Sequence, residues 1–208
     1  MVKVQAPALS LEASGSLGGA LVFSKWKGRP YVRVLVKPSN PKSGGQVGMR
    51  AMFRWLSQQW ATIGAVPQAT WEDRADQGVY SPFNAFMSYN QFRWRDFLAP
   101  SQDDPAATGD TPSADGAGSA VAGVRSITVT QAITTANDGW GVAFFRALAP
   151  AFSTAFDNLI GVGLIVGAAD VVWVDSPLIP DTYYYNMRSF TLDGQLGAEI
   201  GEVNAVVV

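Results

Sequence analysis

The apolar positions change period along the chain, and each change predicts a different kind of element. Residues 17–24 and 31–36 are rich in β-branched, aromatic and aliphatic residues. They flank Lys25-Trp26-Lys27-Gly28-Arg29-Pro30, which predicts a β-hairpin closed by a basic turn. Pro38-Ser39-Asn40-Pro41 ends its second strand. From about Ser43 a helical period takes over: Met49, Phe53, Leu56, Trp60 and Ile63 form one apolar stripe. Pro67 and Trp71-Glu72-Asp73 suggest a second, short helix. Ser81-Pro82 reads as a cap followed by Pro in the first helical position, opening a third helix with Phe83, Phe86, Met87, Trp94 and Phe97 on its apolar face. Core packing is the first reading of these stripes. From Val124 the period becomes that of strands: Ile127 and Val129, then Trp140, Val142 and Phe144, then residues 171–174, and a closing strand at 203–207. Turn residues separate them at Asn137-Asp138-Gly139, Ser176-Pro177 and Asp193-Gly194, a pattern that suits a small β-sandwich. The apolar stretch 159–174 is broken by Gly161, Gly163, Gly167 and Asp170, so it reads as strands and not as a membrane helix.

Between these halves, residues 100–122 are Pro, Gly, Ala, Ser, Asp and Thr with little to bury, the composition of a linker. The reading is therefore an α+β module at 1–99 (a β-hairpin plus three helices), a linker at 100–122 and an all-β immunoglobulin/fibronectin-like sandwich at 123–208. Charge follows the same division. Residues 1–100 hold 12 Lys and Arg against 5 Asp and Glu, a net +7, and residues 101–208 hold 3 against 12, a net −9. Opposite charge on the two parts implies different neighbours for each.

The 208 residues include no Cys and no His. Disulfides, thiolate metal sites and cysteine nucleophiles are excluded, and the commonest general base and metal ligand is missing. Gly15-Ser16-Leu17-Gly18-Gly19 is Gly-rich but leads into a strand and lacks the Lys of a phosphate loop. Glu72, Asp73 and Asp76 fall near a helix start, where carboxylates favour the macrodipole. Asp103, Asp104, Asp110 and Asp115 lie in the linker and read as solvated. No catalytic, cofactor or metal residue is assigned, and an enzyme is not expected. Charged residues make up 15% of the chain and hydrophobic ones 48%, so part of the surface should be covered by a partner. The first residues lack a charged segment followed by a long apolar run, so no signal peptide is read there.

Two resemblances add to this. Residues 175–190, with Leu178, Pro180 and the Tyr183-Tyr184-Tyr185 run, resemble the corner and sixth strand of fibronectin type III domains. Asp193-Gly194 and a last strand at 202–208 follow as they do there. That likeness implies a core Trp in the second strand at Trp140. Its spacing after Leu178 points to Tyr184 as the corner tyrosine. Alternation instead turns Tyr183, Tyr185 and Met187 inward, since the other face would bury Asn186 and Arg188. Both registers stand at this point. The second resemblance rests on Trp26, Lys27, Gly28, Arg29, Tyr31, Arg33, Asn40, Pro41, Gln46 and Arg50, with Trp60, Trp71 and Asn84 further on. It looks like the opening of small uncharacterised proteins from phage and prophage structural regions, and it implies a context without a mechanism.

The expectation is a phage virion structural protein, an auxiliary or decoration protein that binds the capsid shell through its N-terminal module. Alternatives are a tail or head–tail junction component and a carbohydrate- or host-surface-binding module that stacks sugars on Tyr183–Tyr185 or Trp173. The candidate protein interface is Lys25, Trp26, Lys27, Arg29, Tyr31 and Arg33, with Lys25, Lys27 and Arg29 lining one edge of the hairpin. Aromatic anchors would be buried at the contact and arginines would pair with carboxylates. Partners would be the major capsid protein or another virion protein, and further copies of the chain. Nucleic acid is a weaker candidate for the basic hairpin, no membrane contact is expected, and the location is the virion after synthesis in the host cytoplasm.

Overall fold

A computed structural model describes residues 2–3, 14–26, 28–37, 39–40, 42–78, 80–106, 112, 115–134 and 139–208. The chain divides into two units at 1–41 and 42–208. The packing therefore does not divide at 99 or 123, where composition and charge suggested it would.

The first unit is a four-stranded antiparallel sheet of β1 (Val2–Lys3), β2 (Gly15–Leu17), β3 (Leu21–Trp26) and β4 (Arg29–Val34), in the order β1-β4-β3-β2. The hairpin is tighter than the sequence suggested. Trp26 pairs with Arg29, so only two residues connect the strands, and the second, Gly28, has a φ of 77°, which a side chain tolerates poorly.

The second unit is mixed α and β. Its helices are α1 (Gly44–Trp60), α2 (Ala65–Ala69), α3 (Glu72–Gly78) and α4 (Pro82–Arg95), one more than expected because residues 65–78 form two short helices. The start of α4 is as read: the Asn84 amide donates to Ser81 Oγ at 3.3 Å, with Pro82 in the first turn. The strands are β5 (Gly118–Gly123), β6 (Ser126–Gln131), β7 (Gly139–Ala147), β8 (Leu159–Leu164), β9 (Val171–Asp175), β10 (Asp181–Thr191) and β11 (Val203–Val207). They form two antiparallel sheets, β11-β10-β7-β8 and β5-β6-β9.

The four-stranded sheet is the middle of three layers. One apolar cluster lies between the two sheets, built from Ile127, Val129, Val142, Phe144, Tyr185, Met187 and their neighbours. A second lies between the other face and the helices, where Met52, Trp55, Leu56, Phe86 and Trp94 meet Trp140, Ala143, Phe145, Leu159 and Phe190. Trp55 packs edge-on against Trp140 at 4.5 Å and against Phe190 at 5.2 Å. Trp140 is thus on the third strand of this region and faces the helices, whereas the resemblance implied a second-strand Trp. The stripe expected on α1 is also displaced. Gly48, Met52, Trp55, Leu56 and Gln59 are buried, while Phe53 is 52% exposed.

Much of the expected linker is built into this unit. Asn90 Nδ2 donates to Ser101 O at 2.9 Å and the Ser101 amide returns a bond to Asn90 Oδ1 at 2.8 Å, with both residues fully buried. Trp71 Nε1 donates to Gln102 O at 2.7 Å. Asp104, expected to be solvated, accepts two bonds from Arg74 at 2.6 and 2.7 Å, and this partner raises the Arg74 pKa. Residues 118–123 form β5. Residues 107–111, 113 and 114, Asp110 among them, and the expected turn residues Asn137 and Asp138 lie outside the described residues, while Asp115, also expected to be solvated, is half-buried.

Candidate functional site

The register of the N-terminal sheet assigns its side chains to faces, since residues directly opposed across an antiparallel ladder point the same way. Trp26 opposes Arg29, Ser24 opposes Tyr31 and Val22 opposes Arg33. Trp26, Arg29, Tyr31 and Arg33 therefore share one face, basic and aromatic. Lys25 opposes Pro30 and falls on the other face, so the expected grouping of Lys25 with Arg29 along one edge is corrected by the alternation of the strands. Lys27 lies outside the described residues. The second face carries Leu17, Leu21, Phe23, Val32 and Val34. Trp26 is 62% exposed, Leu17 60% and Val34 66%. Among residues 14–26, 28–37 and 39–40 of this unit, no side chain is buried.

In the second unit a groove of about 550 Å³ runs beside α1. The helix supplies Arg50, Ala51, Arg54 and Trp55, Lys42 stands just before it, and Ile160, Val162 and Trp173 complete the floor. Lys42, Arg50 and Arg54 give it three cations, and among the described residues no carboxylate lines it. Trp173 reaches it from β9, lying across Gly161 of β8 and stacked on Phe144 at 6.2 Å. Arg50 and Trp173 carry separate signals in the sequence, and Lys42 and Arg54 carry none. Only the packing of α1 beside β8 and β9 brings the four together, and no local signal encodes that.

Two polar clusters are occupied internally. Asp175 on β9 accepts from Tyr185 Oη at 2.9 Å and from Arg146 Nη1 at 2.8 Å, bracing one sheet against the other. Burial and then the Asp175 charge push the Tyr185 phenol far above its usual range. Tyr183, also buried, donates from its hydroxyl to Ile179 O at 3.0 Å. Tyr183, Tyr185 and Met187 thus face inward, as alternation required, while Tyr184 is half-exposed. The second cluster is Thr154, Asn186, Arg188 and Glu199. Glu199 accepts from Thr154 Oγ1 at 2.6 Å and from Asn186 Nδ2 at 3.0 Å, and the threonine hydroxyl leads in holding its carboxyl below the usual range. Arg188 donates to Gly197 O at 2.7 Å and to Thr154 Oγ1 at 3.2 Å. Burial works against its charge and lowers its pKa. Among the described residues no three Asp, Glu, His or Cys side chains converge as metal ligands, and no helix is long and apolar enough to cross a membrane.

No protein-family model matches this chain, and no curated protein sequence does. Among solved structures, a β-1,2-glucanase from Parabacteroides distasonis aligns with 49% of the chain at 16% identity and a TM-score of 0.37. The spore cortex lytic enzyme SleM of Clostridium perfringens aligns with 46% at 16% identity and a TM-score of 0.31. The chain spans only 14% and 28% of those two structures, and likenesses of this size carry no argument about activity.

Proposed function

We propose that this chain is a structural protein of a phage particle, an auxiliary protein that binds the capsid shell through its N-terminal sheet. The observation that carries the reading is the lack of any buried side chain in β2, in β3 and in β4, although the sheet has four strands and an apolar face. An isolated sheet gains stability by covering one face with a second layer. Another molecule is the natural cover for Leu17, Leu21, Phe23, Val32 and Val34. The opposite face, with Trp26, Tyr31, Arg29 and Arg33, has the composition of an interface anchor. The phage context comes from the resemblance of residues 23–50.

Within this reading, residues 118–207 are a fibronectin type III-like sandwich. The split of seven strands into β5-β6-β9 and β11-β10-β7-β8 and the bond from Tyr183 Oη to the backbone four residues earlier both favour it. The chain binds and builds, and it is not an enzyme.

Immunogold labelling of purified particles with an antibody against residues 123–208 tests the assignment. Label over the shell is expected, and its loss in the Trp26→Ala/Arg33→Ala variant would tie attachment to the sheet. Label confined to the tail or neck would move the protein there, and its absence from particles by mass spectrometry would end the virion reading.

A further inference from the structure

β8 ends its sheet and β9 ends the facing one, and the two lie side by side. A Cβ added at Gly161 would stand 2.2 Å from the Trp173 ring, and one at Gly163 would stand 2.3 Å from Val171. On the other face of β8, Leu159 and Val162 pack under the helices. The free edge of β8 therefore opens into the cationic groove, with α1 on one side and Trp173 on the other. Alternate N–H and C=O groups of an edge strand point away from its only partner, here β7, and among the described residues no strand meets them. Edge strands are usually blunted by a charge, a Pro or a cover. The sequence of β8, Leu-Ile-Gly-Val-Gly-Leu, has neither charge nor Pro.

We propose that the free edge of β8 is a docking strip for an extended acidic peptide segment of a partner protein, which would add to the sheet as a further strand. Side chains of such a strand alternate between two sides. One set would meet Lys42, Arg50 and Arg54, and the other would lie against Trp173. The matching peptide carries carboxylates at every second position and apolar residues between them. A second copy of the chain docking edge to edge through its own β8 would instead set the arginines of two copies near one another. Every residue invoked here belongs to the second unit, so the inference stands or falls apart from the virion assignment.

Fluorescence anisotropy on the full chain tests it, with a fluorescein-labelled peptide alternating Glu and Val. Saturable binding is expected, with weaker binding of a peptide of the same composition arranged as a Glu block and a Val block. Arg54→Glu, at an exposed position, should weaken binding about tenfold, as loss and reversal of a charge-assisted contact does. N-methylation of alternate peptide amides should do the same without touching the protein, because only a ladder needs those hydrogens. Equal binding of the N-methylated or the block peptide would overturn strand addition, as would an unaffected Arg54→Glu or an absence of saturable binding. Binding of polygalacturonate or oligo-dT in place of the peptide would reassign the groove to a polysaccharide or to nucleic acid.

Discussion

Residues 14–40 and residues 42–208 draw on the same kinds of apolar residue and place them in opposite ways. Trp26 keeps 62% of its surface while Trp71 and Trp94 keep none, and Val34 is 66% exposed while Val129 and Val142 are fully buried. The difference lies in the number of layers. The second unit stacks helices, a four-stranded sheet and a three-stranded sheet, so both faces of β7 and β10 are covered. Within the first unit, among its described residues, the sheet has no second layer. Strand-forming sequence is enough to make a sheet, but burial needs something laid on it. The apolar face of the first unit is the feature on which the proposed attachment rests.

Truncation should break the comparison most sharply. Residues 42–208 alone should remain soluble and unfold cooperatively, because both buried clusters lie within them. Residues 118–208 alone should aggregate, because Trp140, Ala143, Phe145 and Phe190 lose their helical cover. Size-exclusion chromatography with circular dichroism checks both, and a soluble, folded 118–208 fragment would mean that the helices are merely appended. Next in size, Phe190→Ala in full-length protein should cost about 3–5 kcal/mol of unfolding free energy in urea, as a large ring leaves a cavity. Trp26→Ala should stay within about 0.5 kcal/mol, the range for a surface position. Smallest is the acid side of the stability curve. The Glu199 carboxyl titrates below its unfolded value of about 4.3. Its contribution is complete above that pH and fades as the pH falls through the lower folded value. Glu199→Gln should flatten that slope in thermal melts below about pH 5 and leave the neutral-pH slope unchanged.

What the sequence disclosed depended on how local the cause was. The start of α4 was legible because a Ser-Pro pair acts within one turn, and β6 because Ile127 and Val129 alternate against a single buried face. The inward turn of Tyr183 and Tyr185 followed from alternation, but its stated reason did not hold. The opposite face of β10 does bury Asn186 and Arg188 contacts, and Glu199, Thr154 and Gly197 satisfy them from segments distant in sequence. The α1 stripe was misplaced because apolar residues occupy more than one face of that helix, and only the sheet beneath selects Met52 and Trp55 over Phe53. The composition of residues 100–122 misleads for a similar reason. Small polar residues look unstructured until Asn90 and Arg74 hold Ser101 and Asp104. Of the hairpin residues, the chain order showed the cluster, but only the register separates Lys25 from Arg29.

The two glycines on the inner face of β8 make residue size a shared property of distant positions. Gly161 lies under Trp173 and Gly163 under Val171, so each pair has one joint volume to divide. Enlarging either glycine alone would wedge the sheets apart, and shrinking either partner alone would leave a void. Related chains should drift along this constraint by paired exchange, with a larger residue at 161 accompanied by a smaller one at 173. A lineage that keeps the indole for binding would be unable to relax Gly161 at all.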